Sequence, residues 1–254
     1  MSPLTRTLLP VSTFLALISS APGALIYYFD FENPGNLGES EGSHPGAAVV
    51  SAGVTSLAEG TSGSGATFSS GSSLQMPVSL APGDFPQLTW GAWVRPSSST
   101  PIQTILSHDN GGYDRSLVID NRLGLSGTTT TSYGAYGGSS HGVHNSGVAV
   151  TPGEWTFVAA AYDQGNNLMR LHVGDQVFTL ATSFTNDSGT TTLLGGNPSF
   201  GEYFVGDMDE VFIYDSFLSS AQVETLRLNG VPEPSSLGLV ALGLLLANSR
   251  RRQS

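Results

Sequence analysis

Gly153-Glu-Trp-Thr-Phe-Val-Ala-Ala-Ala-Tyr-Asp163, followed by Leu168-Met-Arg-Leu-His-Val173, Gly174-Asp175 and Gln176-Val-Phe-Thr-Leu180, decides the fold. The first run is apolar and short, and turn residues bound it. The next two are strand-like and only a Gly-Asp pair separates them, which is a hairpin signal. Similar segments recur on both sides. Upstream lie Leu25–Phe31, Ser73–Met76, Leu88–Arg95, Ile102–Ser107, Arg115–Asp120 and Arg122–Ser126. Downstream lie Thr190–Leu194 and Gly206–Tyr214. Many short strands separated by Gly, Pro, Asn and Asp predict an all-β, two-sheet antiparallel β-sandwich. One short C-terminal helix is expected. Ser219 or Ser220 caps it, Val223, Leu226 and Leu228 face inward, and Gly230 stops it. Two stretches, Glu32–Thr67 and Gly127–Gly147, are rich in Gly and Ser and read as loops.

Composition narrows the function. The chain has 254 residues with 9 Lys+Arg against 20 Asp+Glu, a formal net charge of −11. Every one of those cations is an arginine, and three of them sit in the last five residues. A phosphate backbone demands a cationic footprint, so nucleic acid is excluded as a partner. The absence of cysteine rules out disulfides and thiolate chemistry. An acidic surface favours cations and repels acidic polymers.

The two ends lie outside the fold. Arg6, the apolar run Leu8–Ile18 and the small residues Ser19–Ala24 have the arrangement of a signal peptide for the Sec export machinery, so residues 1–24 are read as a leader. Residues 25–230 are the domain. Residues 231–254 join Val231-Pro-Glu-Pro-Ser235, an apolar run Leu237–Ala247 and Arg250-Arg-Arg252. Eleven apolar residues make about 16 Å of helix, roughly half a bilayer core, so the residues alone leave a choice between a weak, transient membrane anchor and an amphiphilic end.

Three-part tails of this kind resemble the PEP-CTERM sorting signal of bacterial exported proteins. Pro232, Glu233 and Pro234 match its motif, and Arg250, Arg251 and Arg252 match its basic end. The resemblance implies an exosortase-type processing enzyme as a partner, and a cell-surface or extracellular location. The middle of the chain resembles the laminin-G-like, concanavalin-A-like lectin-glucanase superfamily in five ordered motifs. These are Tyr28–Glu32, Leu88–Pro96, Gly153–Asp163, Leu168–Asp175 and Gly206–Asp215, the last followed by Phe217–Val223. The resemblance implies a jelly roll, and relatives often hold Ca²⁺ at a rim of the sandwich.

Candidate residues follow from chemistry. Calcium takes six to eight hard oxygens, often from Asp, Asn and backbone carbonyls. Two loops have that makeup, one with Asp109, Asn110 and Asp114 and one with Asn186 and Asp187. A sugar site wants aromatic platforms and hydrogen-bonding partners. Tyr133, Tyr136, His141, His144 and Asn145, in the second loop-like stretch, supply both. Trp93 and Trp155 read as core residues, and Asp209 and Glu210 as structural carboxylates that fix a strand end. Met208, Phe212 and Tyr214 share alternation parity and are expected on one face.

A jelly-roll hydrolase carries paired carboxylates on one strand face. The nearest approach here is Asp207-Met-Asp209-Glu210, which lacks that spacing. No catalytic residue is assigned. The expected function is a non-catalytic surface or matrix module that associates with extracellular polysaccharide, with calcium as its one candidate cofactor. The alternatives are a structural or protein-binding module without sugar affinity, and a divergent polysaccharide hydrolase or lyase.

Overall fold

The computed structural model describes residues 23–44, 48–100, 102–122, 130–138, 142–181, 183 and 191–232. Most of the expected leader, His141, Asn186 and Asp187 lie outside the described residues, as do Glu233, Pro234, Arg250, Arg251 and Arg252.

The chain runs through β1 (Leu25–Phe29), β2 (Val49–Val50), β3 (Val54–Leu57), β4 (Gly65–Phe68), β5 (Leu74–Met76) and β6 (Gln87–Pro96). It continues through β7 (Gln103–His108), β8 (Arg115–Asp120), β9 (Ser132–Tyr136), β10 (Val143–Ala149), β11 (Thr156–Asp163), β12 (Leu168–Val173) and β13 (Gln176–Ala181). The last elements are β14 (Thr192–Leu194), β15 (Gly196–Asn197), β16 (Glu202–Tyr203), β17 (Gly206–Tyr214) and the helix α1 (Ser220–Asn229).

One sheet has the order β13-β12-β11-β6-β17-β4-β3, with β1 also paired to β17. The second has the order β10-β9-β8-β7-β14-β5-β2, and β15 and β16 form a small ribbon. Every pairing in the two large sheets is antiparallel. This is the expected sandwich, and the expected hairpin is present. Val173 pairs with Gln176, and Gly174 turns the chain at φ 57°, a conformation that costs glycine little.

Alternation builds the core. Leu88, Trp90, Ala92 and Val94 on β6, Val158, Ala160 and Tyr162 on β11, and Leu117 and Ile119 on β8 all enter one apolar cluster between the sheets. A second cluster lies on the outward face of the larger sheet, where Phe157, Phe212 and Tyr214 meet Leu218, Val223 and Leu226 of the α1 segment. Helix α1 starts at Ser219, whose hydroxyl accepts from Gln222 N–H while the Gln222 side chain reaches back, a capping box. Val223 and Leu226 are buried as expected, but Leu228 is 62% exposed. The helix offers only one narrow apolar face, and Leu228 falls off it.

Four further expectations are corrected. The stretch Glu32–Thr67 contains β2, β3 and the start of β4, and Gly127–Gly147 contains β9 and most of β10. Their small residues hide the strand pattern. A Cβ at Gly134 would stand 2.6 Å from Asn145 Oδ1, so the residue is small because β10 packs over it. Trp93 is not in the core between the sheets but packs, partly buried, against the outer cluster. Alternation buries Trp90 completely and turns Trp93 outward, and Trp155 is also only partly buried. Met208 does not share a face with Phe212 and Tyr214. Met208, Val211 and Ile213 all face the core, because a bulge between Asp209 and Phe212 resets the parity.

That bulge marks where β17 changes neighbours. Gly206–Met208 pair with β4, and Val211–Tyr214 pair with β1. Glu210 sits at φ 52°, a strained conformation for this residue. Asp209 and Glu210 bond across the junction. Asp209 Oδ2 accepts from Thr61 N–H at 2.7 Å, Thr61 Oγ1 at 2.8 Å and Ser62 N–H at 3.0 Å. Glu210 Oε1 accepts from Tyr28 Oη at 2.8 Å, and Oε2 from Val231 N–H at 3.3 Å. Burial raises the pKa of both carboxyls.

His172 predicts a pH response. It is 3% exposed, on the outward face of β12, and its Nε2 has no hydrogen-bond partner among the described residues. Burial, with Arg170 nearby, lowers its pKa to about 4, while Glu224 pulls the other way. Below pH 6.5 the unfolded chain takes up a proton that the folded protein refuses. Stability therefore falls with pH, by about 2 kcal/mol from this group between pH 7 and 5. The raised carboxyls of Asp209 and Glu210 act in the opposite direction at the acid end. Denaturant melts of the wild type and His172→Gln at pH 7 and 5 isolate the histidine. The variant is expected to lose about 2 kcal/mol less over that interval, and equal losses would remove the assignment.

Candidate functional site

The outward face of the seven-stranded sheet carries a small cluster of Val118, Tyr136 and Val143, on the opposite side from Leu117, Ile119 and Ala135. Beside it is a cleft of about 170 Å³ lined by Asp109, Gly112, Tyr113, Arg122, Tyr136, Phe200 and Glu202. Four segments meet there: the β7–β8 turn, the end of β8, the end of β9 and the β15–β16 ribbon.

Arg122 is the centre of the cleft. Its backbone N–H and side chain both turn back to Asp120, which is fully buried. Nε donates to Asp120 Oδ2 at 2.9 Å, and Nη2 to the same oxygen at 2.6 Å. Nη1 lies 3.2 Å from Glu202 Oε1. The Tyr136 hydroxyl donates to Asp120 Oδ2 at 2.6 Å and also meets Arg122 Nη2. The guanidinium lies 5.5 Å from the Tyr113 ring centroid and 5.6 Å from that of Tyr136. These two rings meet edge-on at 5.3 Å. Asn145 Nδ2 donates to the Arg122 carbonyl at 3.0 Å and so holds the segment from below.

The electrostatics follow from burial and pairing. Burial opposes the charge on Arg122, but the hydrogen bond to Asp120, with Tyr136 and Glu202 close by, keeps its pKa above the ordinary value. Burial and the Asp120 carboxylate raise the Tyr136 hydroxyl, which stays a donor at neutral pH. Burial raises Glu202, and Arg122 offsets part of that rise. Two carboxylates, from Asp120 and Glu202, pair with one guanidinium, and the Asp109 carboxylate lines the same cleft. Such a cleft disfavours an anionic ligand. It presents planar donors and acceptors edged by Tyr113, 36% exposed, and Phe200, 53% exposed.

The structure brings together some expected site residues and separates others. Asp109 and Tyr136 meet in the cleft. Asn145 supports it from β10. Tyr133 faces the core between the sheets and does not reach the cleft. His144 lies half-buried on β10, and burial lowers its pKa. Asp109 forms an Asx turn: Oδ1 accepts from Gly111 N–H at 2.8 Å and Oδ2 from Asn197 Nδ2 at 2.9 Å. Asn110 lies in the same turn, and Asp114 is buried next to β8. Among the described residues, no group of three or more His, Cys, Asp or Glu is placed to hold a metal ion. Sequence reasoning missed Tyr113, Arg122, Phe200 and Glu202. Arg122 carried one usable signal, as one of only five arginines between residues 25 and 230.

The carboxylates nearest to a hydrolase pattern are otherwise engaged. Asp207 pairs with Arg95 at 2.9 Å and accepts from Thr67 Oγ1 at 2.5 Å. Asp209 and Glu210 hold the β17 junction.

Comparison with known proteins gives two family matches. The profile of the concanavalin A-like lectin/glucanases superfamily matches residues 64–224. The PEP-CTERM protein-sorting motif matches residues 230–252. No curated protein matches the chain. Among solved structures, domain 4 of AbnA, a GH43 extracellular arabinanase from Geobacillus stearothermophilus in complex with arabinotriose, is similar. It is 19% identical with a TM-score of 0.63, over 82% of this chain and 100% of that one. The binding domain of Paraclostridial Mosquitocidal Protein 1 is 14% identical with a TM-score of 0.56, over 80% of this chain and 52% of that one. The botulinum neurotoxin serotype D binding domain is 12% identical with a TM-score of 0.56, over 80% of this chain and 51% of that one. The chain thus spans about half the length of either toxin domain. At these identities the likeness concerns the fold.

Proposed function

The chain belongs to the concanavalin A-like lectin/glucanases superfamily and ends in a PEP-CTERM motif that marks it as an exported, cell-surface or extracellular protein, and on that premise we propose that it is a non-catalytic module binding neutral glycans. The motif implies processing by an exosortase after Sec-dependent export. The carrying observation is the Arg122 cleft. Its guanidinium is held rigid by Asp120 and Glu202, the Tyr113 ring lies against it, and the exposed Phe200 ring lines the same cleft. Sugars present hydroxyls in pairs and an apolar C–H face, and this constellation answers both. The carboxylate excess favours uncharged sugars over uronates. Engagement of Asp207, Asp209 and Glu210 in structural contacts supports a binding role over hydrolysis. Adhesion within a polysaccharide matrix, with transient membrane anchoring through the tail, completes the reading.

Calorimetry of the purified chain against arabinotriose, xylotriose, cellotriose and a galacturonate trimer tests it. At least one neutral trimer is expected to bind, and the acidic one to bind none. Tyr113→Ala and Phe200→Ala should each weaken binding by about tenfold; the more exposed Phe200→Ala should leave the melting temperature unchanged, and Tyr113→Ala, which gives up ring contacts to Tyr136 and Arg122, should lower it by only a few degrees. Calcium is separable. Both Asp109 oxygens already accept N–H groups of this chain, so binding should persist in EDTA. Loss in EDTA and return with CaCl₂ would put a cation into recognition.

A further inference from the structure

A second hollow, of about 640 Å³, opens on the other side of the sandwich, where Trp93, Trp155, Ser62 and the C-terminal end of α1 come together. Trp93 packs with the cluster on the outward face of the eight-stranded sheet, whereas Tyr136 belongs to the outward face of the seven-stranded one. The two hollows therefore face in opposite directions. We propose that the Trp93–Trp155 hollow is a second site for neutral, hydroxyl-rich glycan, and that the domain cross-links polysaccharide through two opposed faces. This rests on the glycan-binding reading above.

The argument starts from two large aromatics that the fold leaves half-buried instead of covering. Neither is free to collapse. Arg95 lies 4.8 Å from the Trp155 ring centroid and is itself held by Asp207 at 2.9 Å. Trp93 meets Phe157 edge-on at 5.6 Å. The rings are thus set in place before any ligand arrives, which lowers the ordering cost of binding. Polar groups complete the wall. Arg227 is fixed by Glu224 through two hydrogen bonds of 2.7 Å, and Asn229 and Ser62 stand at the rim. Glu210 lines the floor, but its oxygens already accept from Tyr28 and Val231, so it adds no free carboxylate to repel or hydrolyse a sugar. Opposed sites on one rigid body cannot clasp one short chain, so they join two, and avidity follows from valency.

Tryptophan emission reads this hollow selectively. The chain has three tryptophans. Trp90 is fully buried, and the Arg122 cleft contains none. Titration of the full chain with the neutral trimers should give a saturable emission change that survives in Tyr113→Ala/Phe200→Ala. Trp155→Ala, and as a gentler variant Arg227→Ala, should weaken that response by about tenfold. With soluble arabinan, wild-type protein should scatter light as a cross-linked network, and breaking either site should abolish scattering. If the double rim variant loses all binding heat and emission never responds, the second site is overturned while the first stands. If no trimer gives heat or emission change, both readings fail. Emission quenched by a tryptic albumin digest, with no response to sugars, would make the hollow a peptide site and overturn the proposal.

Discussion

Asp209→Ala is expected to lower the thermal midpoint by roughly 10 °C, from a loss of about 4 kcal/mol. Asp209 is completely buried, and its carboxylate gathers donors from two separate segments. Thr61 N–H, Thr61 Oγ1 and Ser62 N–H bond to one oxygen, and Glu210 N–H bonds to the other at 2.8 Å. Removing the carboxylate takes away four hydrogen bonds to a charged group, each worth about 1.5–3 kcal/mol, and orphans the buried Glu210 N–H, while water reaches the exposed Thr61 and Ser62 donors and offsets part of the loss. The loop between β3 and β4 then loses its tie to β17, just where β17 exchanges β4 for β1. Asp209→Asn keeps one acceptor oxygen but turns an amide N–H toward existing donors, so an intermediate loss is expected. Calorimetric melts of the two variants check the order. A change under about 1 kcal/mol for the alanine variant would mean that the junction relaxes around water instead.

Arg122→Ala should destabilise the fold by about 3 kcal/mol as well as abolish binding in the cleft. Asp120 is fully buried, whereas the Arg122 side chain is 32% exposed. Truncating the arginine leaves a buried carboxylate with Tyr136 as its remaining side-chain donor among the contacts described. Removing both charges avoids that penalty. Asp120→Ala/Arg122→Ala should therefore cost less than the sum of the single variants, by about 1–3 kcal/mol of coupling. Urea melts of the four proteins close the cycle. Strict additivity would show that the pair is not the unit described.

How much of this was legible beforehand depends on the kind of residue. The long β6, β11 and β17 stand out because they are apolar and β-rich over eight or more positions. Alternation also separated Trp90 from Trp93. It could not say which of them faced inward. Arg95 held the answer, since it shares parity with Trp93 and a charged group belongs outside. β9, reading Ser-Tyr-Gly-Ala-Tyr, was invisible because all five residues are buried and the small ones leave no period to detect. The reversal of parity at Asp209–Glu210 was equally hidden, since a bulge is a backbone event and neither residue type requires it. The cleft was half legible. Asp109 and Tyr136 were candidates on chemistry alone. Glu202 and Phe200 stand some 80 residues further along from Arg122, and only the ribbon packed against β7 brings them to it.

The helix shows the same division. Ser219 and Gly230 announce its ends by local chemistry, and the structure adds Gln222 as the return half of the cap. Which apolar residues it buries depends on the sheet beneath it, and Leu228 finds nothing there to cover it.

The most direct test of the central claim is a calorimetric titration of the full chain with the neutral trimers, repeated on Tyr113→Ala/Phe200→Ala. The account predicts saturable heat for at least one trimer. It also predicts that the double variant, still folded, loses the component of that heat belonging to the Arg122 cleft. Equal heat in both proteins, or none in either, would contradict it.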